Sequence, residues 1–221
     1  MTSMFSSCIS LQSVPLFNTA AVTSMTGMFG GCVSLIAVPL FNTAIVTNMS
    51  SMFTGCTCLQ TVPLFNTVLV NTMASMFFNC YALQSVPLFN TVAVNTMNSM
   101  FQSCVSLTAI PLFNTANVLY MLSMFQSCRG LQEIPALVVT GALSGSFSSI
   151  FLSAVSLSRI QAKNFRFSFS VAGLKLSGTA LDEIYTNLPT ATGQTITVTG
   201  NYGISTSTPA IATAKGWTVT A

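Results

Sequence analysis

The 221-residue chain has no histidine and almost no charge. Six basic and three acidic side chains make 4 % of the sequence, against roughly 25 % in an ordinary globular domain. None of them precedes Arg129. Without histidine there is no Ser-His or Cys-His nucleophile pair and no imidazole metal ligand. The only acids are Glu133, Asp182 and Glu183. Asp182 and Glu183 are neighbours, about 100° apart on a helix, so they cannot face each other as an acid–base pair; Asp182 reads as a helix-start residue. A net charge of +3 is too small to argue for nucleic acid or an anionic membrane. Apolar residues reach 51 %, yet Pro, Asn, Thr, Ser and Gln interrupt every run before the ~18 residues that a spanning helix needs. No basic-then-apolar signal peptide opens the chain.

What is present is a repeat. Met-Phe pairs stand at 4–5, 28–29, 52–53, 76–77, 100–101 and 124–125. Prolines at 15, 39, 63, 87, 111 and 135 and cysteines at 8, 32, 56, 80, 104 and 128 keep the same step of 24. A fixed period in this range means stacked units, none of which buries enough surface to fold alone. The chain opens inside a repeat. Either the native start lies elsewhere, or the stack begins without a cap and leans on a partner.

Within one unit, residues 34–38 read as a short strand that Pro39, lacking an N–H, brings to an end. Residues 40–43 turn the chain with Phe41 inward. Residues 47–53 read as a helical turn with Met49, Met52 and Phe53 facing the core. The cysteine column reads as buried free thiols, because a line of thiols does not converge on a metal. Cys58, outside the period, is expected to point away from it. The Met-Phe pairs read as core.

The pattern VTxMxxMFxxCxxLxxVPLFNT, in six copies over residues 1–135, resembles the BspA-type leucine-rich repeat. The copies match the general leucine-rich form at Leu35, Val38 and Leu40. They depart from it at Asn42, which comes one residue early and leaves Thr43 in the usual asparagine slot. The resemblance implies a horseshoe or straight parallel stack on bacterial, protist or virion surfaces, used for adhesion or structure.

Stacking also bears on the missing charge. Equivalent residues lie about 4.8 Å apart, so a copied Lys or Glu would form a like-charge ladder. Ser, Thr, Asn and Gln can bond along the column instead, and Gln12, Gln60, Gln84 and Gln132 share one. A wholly uncharged surface with exposed candidates such as Ile45 and Leu69 points to coverage by partners.

After Pro135 the period breaks. Residues 148–160 form a degenerate copy, with Ala154, Leu157 and Ile160 in the Cys, Leu and Val slots, behind a Gly/Ser-rich stretch at 141–147. Residues 164–171 alternate as a strand with Phe165, Phe167, Phe169 and Val171 on one face. A helix follows, with capping-box spacing from Thr179 to Asp182 and a stripe of Leu181, Ile184, Tyr185 and Leu188, and Pro189 stops it. Residues 194–199 read as a strand, Pro209 as the first residue of a second helix, and 217–220 as a last strand. The runs LDEIYTNLPT, ITVTGNYG and IATAKGWTVT resemble the C-terminal ends of phage tail and other virion proteins that carry such repeats. Arg159, Lys163, Arg166 and Lys175 form a modest basic cluster beside phenylalanines, suited to an acidic partner or glycan.

The expected fold is therefore an α/β solenoid: a leucine-rich-repeat stack of short parallel strands and helical turns over 1–135, a degenerate repeat and irregular connection over 136–163, and an α/β cap over 164–221. The expected function is non-enzymatic, with no cofactor and no metal. The chain reads as a virion component, such as a tail fibre, attachment or decoration protein. Its partners would be other virion or surface chains in an oligomeric assembly, with a host glycan or surface protein as ligand and no nucleic acid or membrane insertion. The candidate interaction residues are Gln12, Gln60, Gln84, Gln132, Arg159, Lys163, Arg166 and Lys175. Two alternatives stay open: a self-assembling fibre or shell protein, and a secreted bacterial BspA-like adhesin.

Overall fold

The computed structural model describes residues 1–221. Its repeats lie one upon the next in register, through bonds between residues about one period apart. Residues 25–32 show how. Met28 N–H donates to Met25 O (3.1 Å), Gly30 N–H to Gly27 O (3.0 Å) and Cys32 N–H to Phe29 O (3.0 Å), which makes three tight turns in succession. The alternate N–H groups go to the next repeat: Met25 to Asn48 O, Gly27 to Ser50 O, Phe29 to Met52 O and Gly31 to Thr54 O, at 2.7–2.9 Å. Every other donor thus bonds laterally. An α-helix would use all of its donors internally and leave none for the neighbour. The helical turn expected at 47–53 is accordingly a run of non-helical turns, although Met49, Met52 and Phe53 do face the core.

The strand expected at 34–38 is also corrected. That segment makes one or two bonds per level, as in Cys58 N–H to Val33 O (3.1 Å) and Gln60 N–H to Ile36 O (3.1 Å), and no ladder. Pro39 then has no donor to continue it. Parallel bridges form elsewhere in the unit, in the series Ser24, Asn48, Thr72, Thr96 and Tyr120. Only at the end of the regular series does the extended segment widen, where β1 (Glu133–Ile134) pairs in parallel with β2 (Arg159–Ile160).

The turns demand a left-handed residue twice per unit. Ser51, Ser75, Ser99 and Ser123 hold φ of 56°, 54°, 52° and 54°, and the second column holds Gly31, Gly55, Asn79, Ser103 and Ser127. Left-handed backbone crowds a Cβ, so these slots carry only Ser, Gly or Asn.

Inward positions form columns. Phe29, Phe53, Phe77, Phe101 and Phe125 stack ring on ring at 5.6–6.1 Å. Thr43 fills the slot where an asparagine is usual and sends its hydroxyl up to Asn66 O (2.9 Å), and Thr67 does the same to Asn90 O (2.8 Å). Asn42 stays outside, where its side-chain oxygen accepts from Ala44 N–H (3.1 Å). Phe5 is half-buried and Met4 and Cys8 are exposed, while their equivalents in the next five units are buried.

The C-terminal third has a three-stranded parallel sheet, in the order β3 (Phe169–Ser170), β4 (Gln194–Thr197), β5 (Trp217–Thr220). Helix α1 (Gly178–Asn187) lies between β3 and β4 in sequence, and the short α2 (Ala210–Thr213) between β4 and β5. Phe169 pairs with Ile196 and Ile196 with Val219, so the sheet keeps steps of 27 and 23 residues, close to the original period. The strand at 164–171 shortens to two residues, but Phe165, Phe169 and Val171 are buried as the alternation implies, with Phe167 half-buried. The capping box from Thr179 to Asp182 does not form. Ser177 caps α1 by accepting from Ala180 N–H (3.2 Å). Asp182, inside the helix, instead accepts from the Thr208 backbone N–H (2.6 Å) at the approach to α2, where Pro209 is the cap residue. Gly203 packs on the start of α1 so closely that a Cβ would overlap Gly178 N.

Ser99 tests the backbone requirement. Ser99→Val is expected to destabilise the protein by about 1–2 kcal/mol or more, and Ser99→Gly to stay within about 0.5 kcal/mol of the parent. Equal losses for the two variants in chemical denaturation would show that this slot imposes no left-handed constraint.

Candidate interaction surface

Gln12, Gln60, Gln84 and Gln132 all lie exposed along one line of the stack, interrupted by Ile36 and Thr108. Their side chains do not bond to one another. The bonds in this column are between backbones, such as Gln84 N–H to Gln60 O (3.1 Å), and the lateral side-chain bonds of the stack come chiefly from hydroxyls donating to carbonyls. The amide ends of the glutamines are thus left toward solvent.

The four basic residues do not converge on one cleft. Arg159 forms a two-bond pair with Glu183 of α1, at 2.8 and 2.9 Å. The Glu183 carboxylate holds the guanidinium above its ordinary pKa, and Arg159 holds Glu183 below its own. Arg159 lines an open cleft of about 390 Å³ with Ser158, Ser177, Thr179, Ala180 and Glu183. Lys163 lines an adjoining one of about 260 Å³, which also includes Glu183. Arg166 and Lys175 line neither. Lys215 closes α1. Its ammonium donates to Tyr185 O, Thr186 O and Leu188 O at 3.2, 2.6 and 2.8 Å, where the helix dipole favours a cation.

Sequence reasoning missed the most regular surface feature. The resemblance aligned Leu40 with a core leucine of the general repeat. Here Phe41 takes the inward place and Leu40 is turned out. Leu16, Leu40, Leu64, Leu88 and Leu112 are 67, 58, 58, 59 and 57 % exposed and form one line. Beside it run the exposed Ile45, Val68, Leu69 and Val92. The signal was available: this is the one outward column that keeps a single large apolar residue through five copies. At its end, Leu112, Phe113, Asn114, Thr115, Ala136 and Val138 line a shallow depression of about 310 Å³.

The thiols divide sharply. Cys32, Cys56, Cys80, Cys104 and Cys128 are buried, and each donates to the carbonyl of a phenylalanine one unit back, at 2.9–3.1 Å. Burial pushes all five thiols up, Cys56 and Cys128 to about 12. Cys8 and Cys58 are exposed, Cys58 pointing away from the column as its position suggests. No group of three or more His, Cys, Asp or Glu side chains converges as a metal site would need, and no helix is long and apolar enough to cross a membrane.

A family model described as a Mycoplasma protein of unknown function, DUF285, matches residues 1–104 and again, in an overlapping match, residues 56–163. No curated protein matches the chain.

The thiol column makes stability fall with alkali. A thiol whose folded pKa exceeds its unfolded value contributes nothing below pH ~8.5. Above that, the unfolded chain releases protons that the folded chain keeps, so stability falls by up to about 1.4 kcal/mol per pH unit per thiol until the folded values near 12 are reached. Denaturation at pH 8 and pH 10 should show this loss, and Cys80→Ala should reduce the slope. A slope unchanged in Cys80→Ala would contradict the assignment.

Proposed function

The chain belongs to the DUF285 family, and on that footing we propose that it is a non-enzymatic component of an exposed biological surface. In this reading it is a BspA-like, leucine-rich-repeat solenoid rod that serves attachment or assembly. The supporting observation is the side of the stack. Over 128 residues it offers no charge, and it repeats the same outward residues at each level. Such a surface has little to offer catalysis, because catalysis needs an unlike set of groups gathered at one point. It suits an extended partner, where many weak contacts at regular spacing add up.

The exposed glutamines and hydroxyls are the polar half of that surface, fitted to glycan or protein, and the leucine line is the apolar half. The C-terminal third, with its five basic and two acidic side chains after residue 135, would stand at one end with its charged clefts open. The virion is the location we put first, and a bacterial cell surface the second.

Antibody raised against the chain should label intact particles or intact cells from the native source, before any lysis. Labelling that appears only after lysis would contradict a surface role.

A further inference from the structure

The leucine line has an occupant that its own geometry selects. We infer that two copies of this chain pair side by side and antiparallel through the Leu16–Leu112 stripe, about a two-fold axis at Leu64. This deepens the assembly reading above and rests on it.

Three observations carry the inference. The first is area. The five leucines and the neighbouring Ile45, Val68, Leu69 and Val92 expose roughly 800 Å² of mostly apolar surface, about the share that each partner contributes to a standard stable interface. Exposed apolar surface of this extent on one face marks an interaction site.

The second is what drying this face requires. It bears no charged side chain. Pro39 and its equivalents have no N–H to leave unpaired. The asparagines between the two apolar lines already use their side-chain oxygens, with Asn42, Asn66, Asn90 and Asn114 accepting from Ala44, Val68, Val92 and Ala116 N–H at 3.1–3.2 Å. Covering them leaves that acceptor satisfied, while their Nδ2 groups and the N–H groups of Leu40, Leu64, Leu88 and Leu112 need partners across the interface.

The third is pitch. The leucines recur once per level over five levels. A partner without the same repeat falls out of register after one or two contacts. A second copy keeps register along the whole stripe. Antiparallel pairing sets Leu64 against Leu64, Leu40 against Leu88 and Leu16 against Leu112. It also holds the two C-terminal thirds, each with a net +3, at opposite ends, whereas parallel pairing would set like charges together.

The test uses the full chain in sedimentation velocity. The parent should sediment at twice the monomer mass at tens of micromolar. The Leu40→Glu/Leu88→Glu variant should dissociate at least ~100-fold more readily. Both sites are exposed, so its circular dichroism and its melting when dilute should match those of the dissociated parent. Orientation is read by oxidative cross-linking in a Cys8→Ser/Cys58→Ser background. Leu64→Cys should give covalent dimer, and Leu16→Cys should not. A parent that stays monomeric overturns the pairing, even if the chain is recovered from particles and the surface reading stands. So does a double-glutamate variant that dimerises like the parent. Equal cross-linking at 16 and 64 overturns the antiparallel arrangement. Stripe-dependent binding of a monomer to phosphatidylcholine vesicles would show that lipid, rather than a second copy, covers this face.

Discussion

The structure depends on one constraint: about half of the backbone donors that bond in each unit find their partner only in the unit beside it. The alternation seen at residues 25–32, with one N–H closing a local turn and the next reaching the neighbour, cannot be satisfied in an isolated repeat. The columns follow from it. If level n must bond to level n+1 through the same atoms, then the inward side chains, the left-handed residues and the turns must recur at the same slots. The phenylalanine, threonine and thiol columns use that enforced register, and all run along the same direction. Order within a unit and order between units are therefore one property.

The constraint also shapes the surface. Outward positions are free of the core, yet the same register aligns them. A charge copied there would meet its own image at every level, and a copied leucine becomes a stripe. The regular units bear uncharged outward columns. Charge returns near Arg129, where copying ends and each position has a different neighbour. Arg159 and Glu183 then pair across 24 residues, a contact that needs two unlike residues at equivalent levels.

Much of this was legible in the sequence. The period, the inward Met, Phe, Cys and Leu positions, the outward Cys58 and the order of elements in the last third all follow from spacing and alternation. Local conformation was harder to read. Met49, Met52 and Phe53 have helical spacing, and three successive tight turns place the same residues inward. Periodicity reports which residues are buried, not how the backbone bonds. The distinguishing mark was the paired columns restricted to Ser, Gly or Asn, which a helix does not require. At residues 34–38 the β-branched and apolar residues suggested a strand, but a strand needs consecutive donors, and Pro39 removes one. The cap of α1 went to Ser177 and not to Thr179, because Asp182 was taken by a contact with Thr208, 26 residues away, that no local pattern displays. Among the candidate surface residues, the glutamine line was readable from the period. The dispersal of the basic cluster was not, since it depends on how 159–175 folds over α1.

Removing one level tests the lateral constraint most directly. Deleting residues 49–72 joins Asn48 to Met73 and leaves every remaining donor facing its usual acceptor. Deleting residues 49–60 removes half a level and misplaces them all. Hydrogen exchange on the two proteins should show the 24-residue deletion keeping a protected turn ladder on both sides of the junction, and the 12-residue deletion losing protection through the neighbouring units. Similar protection in both, or loss of protection in the 24-residue deletion, would contradict the claim that register between levels holds the fold.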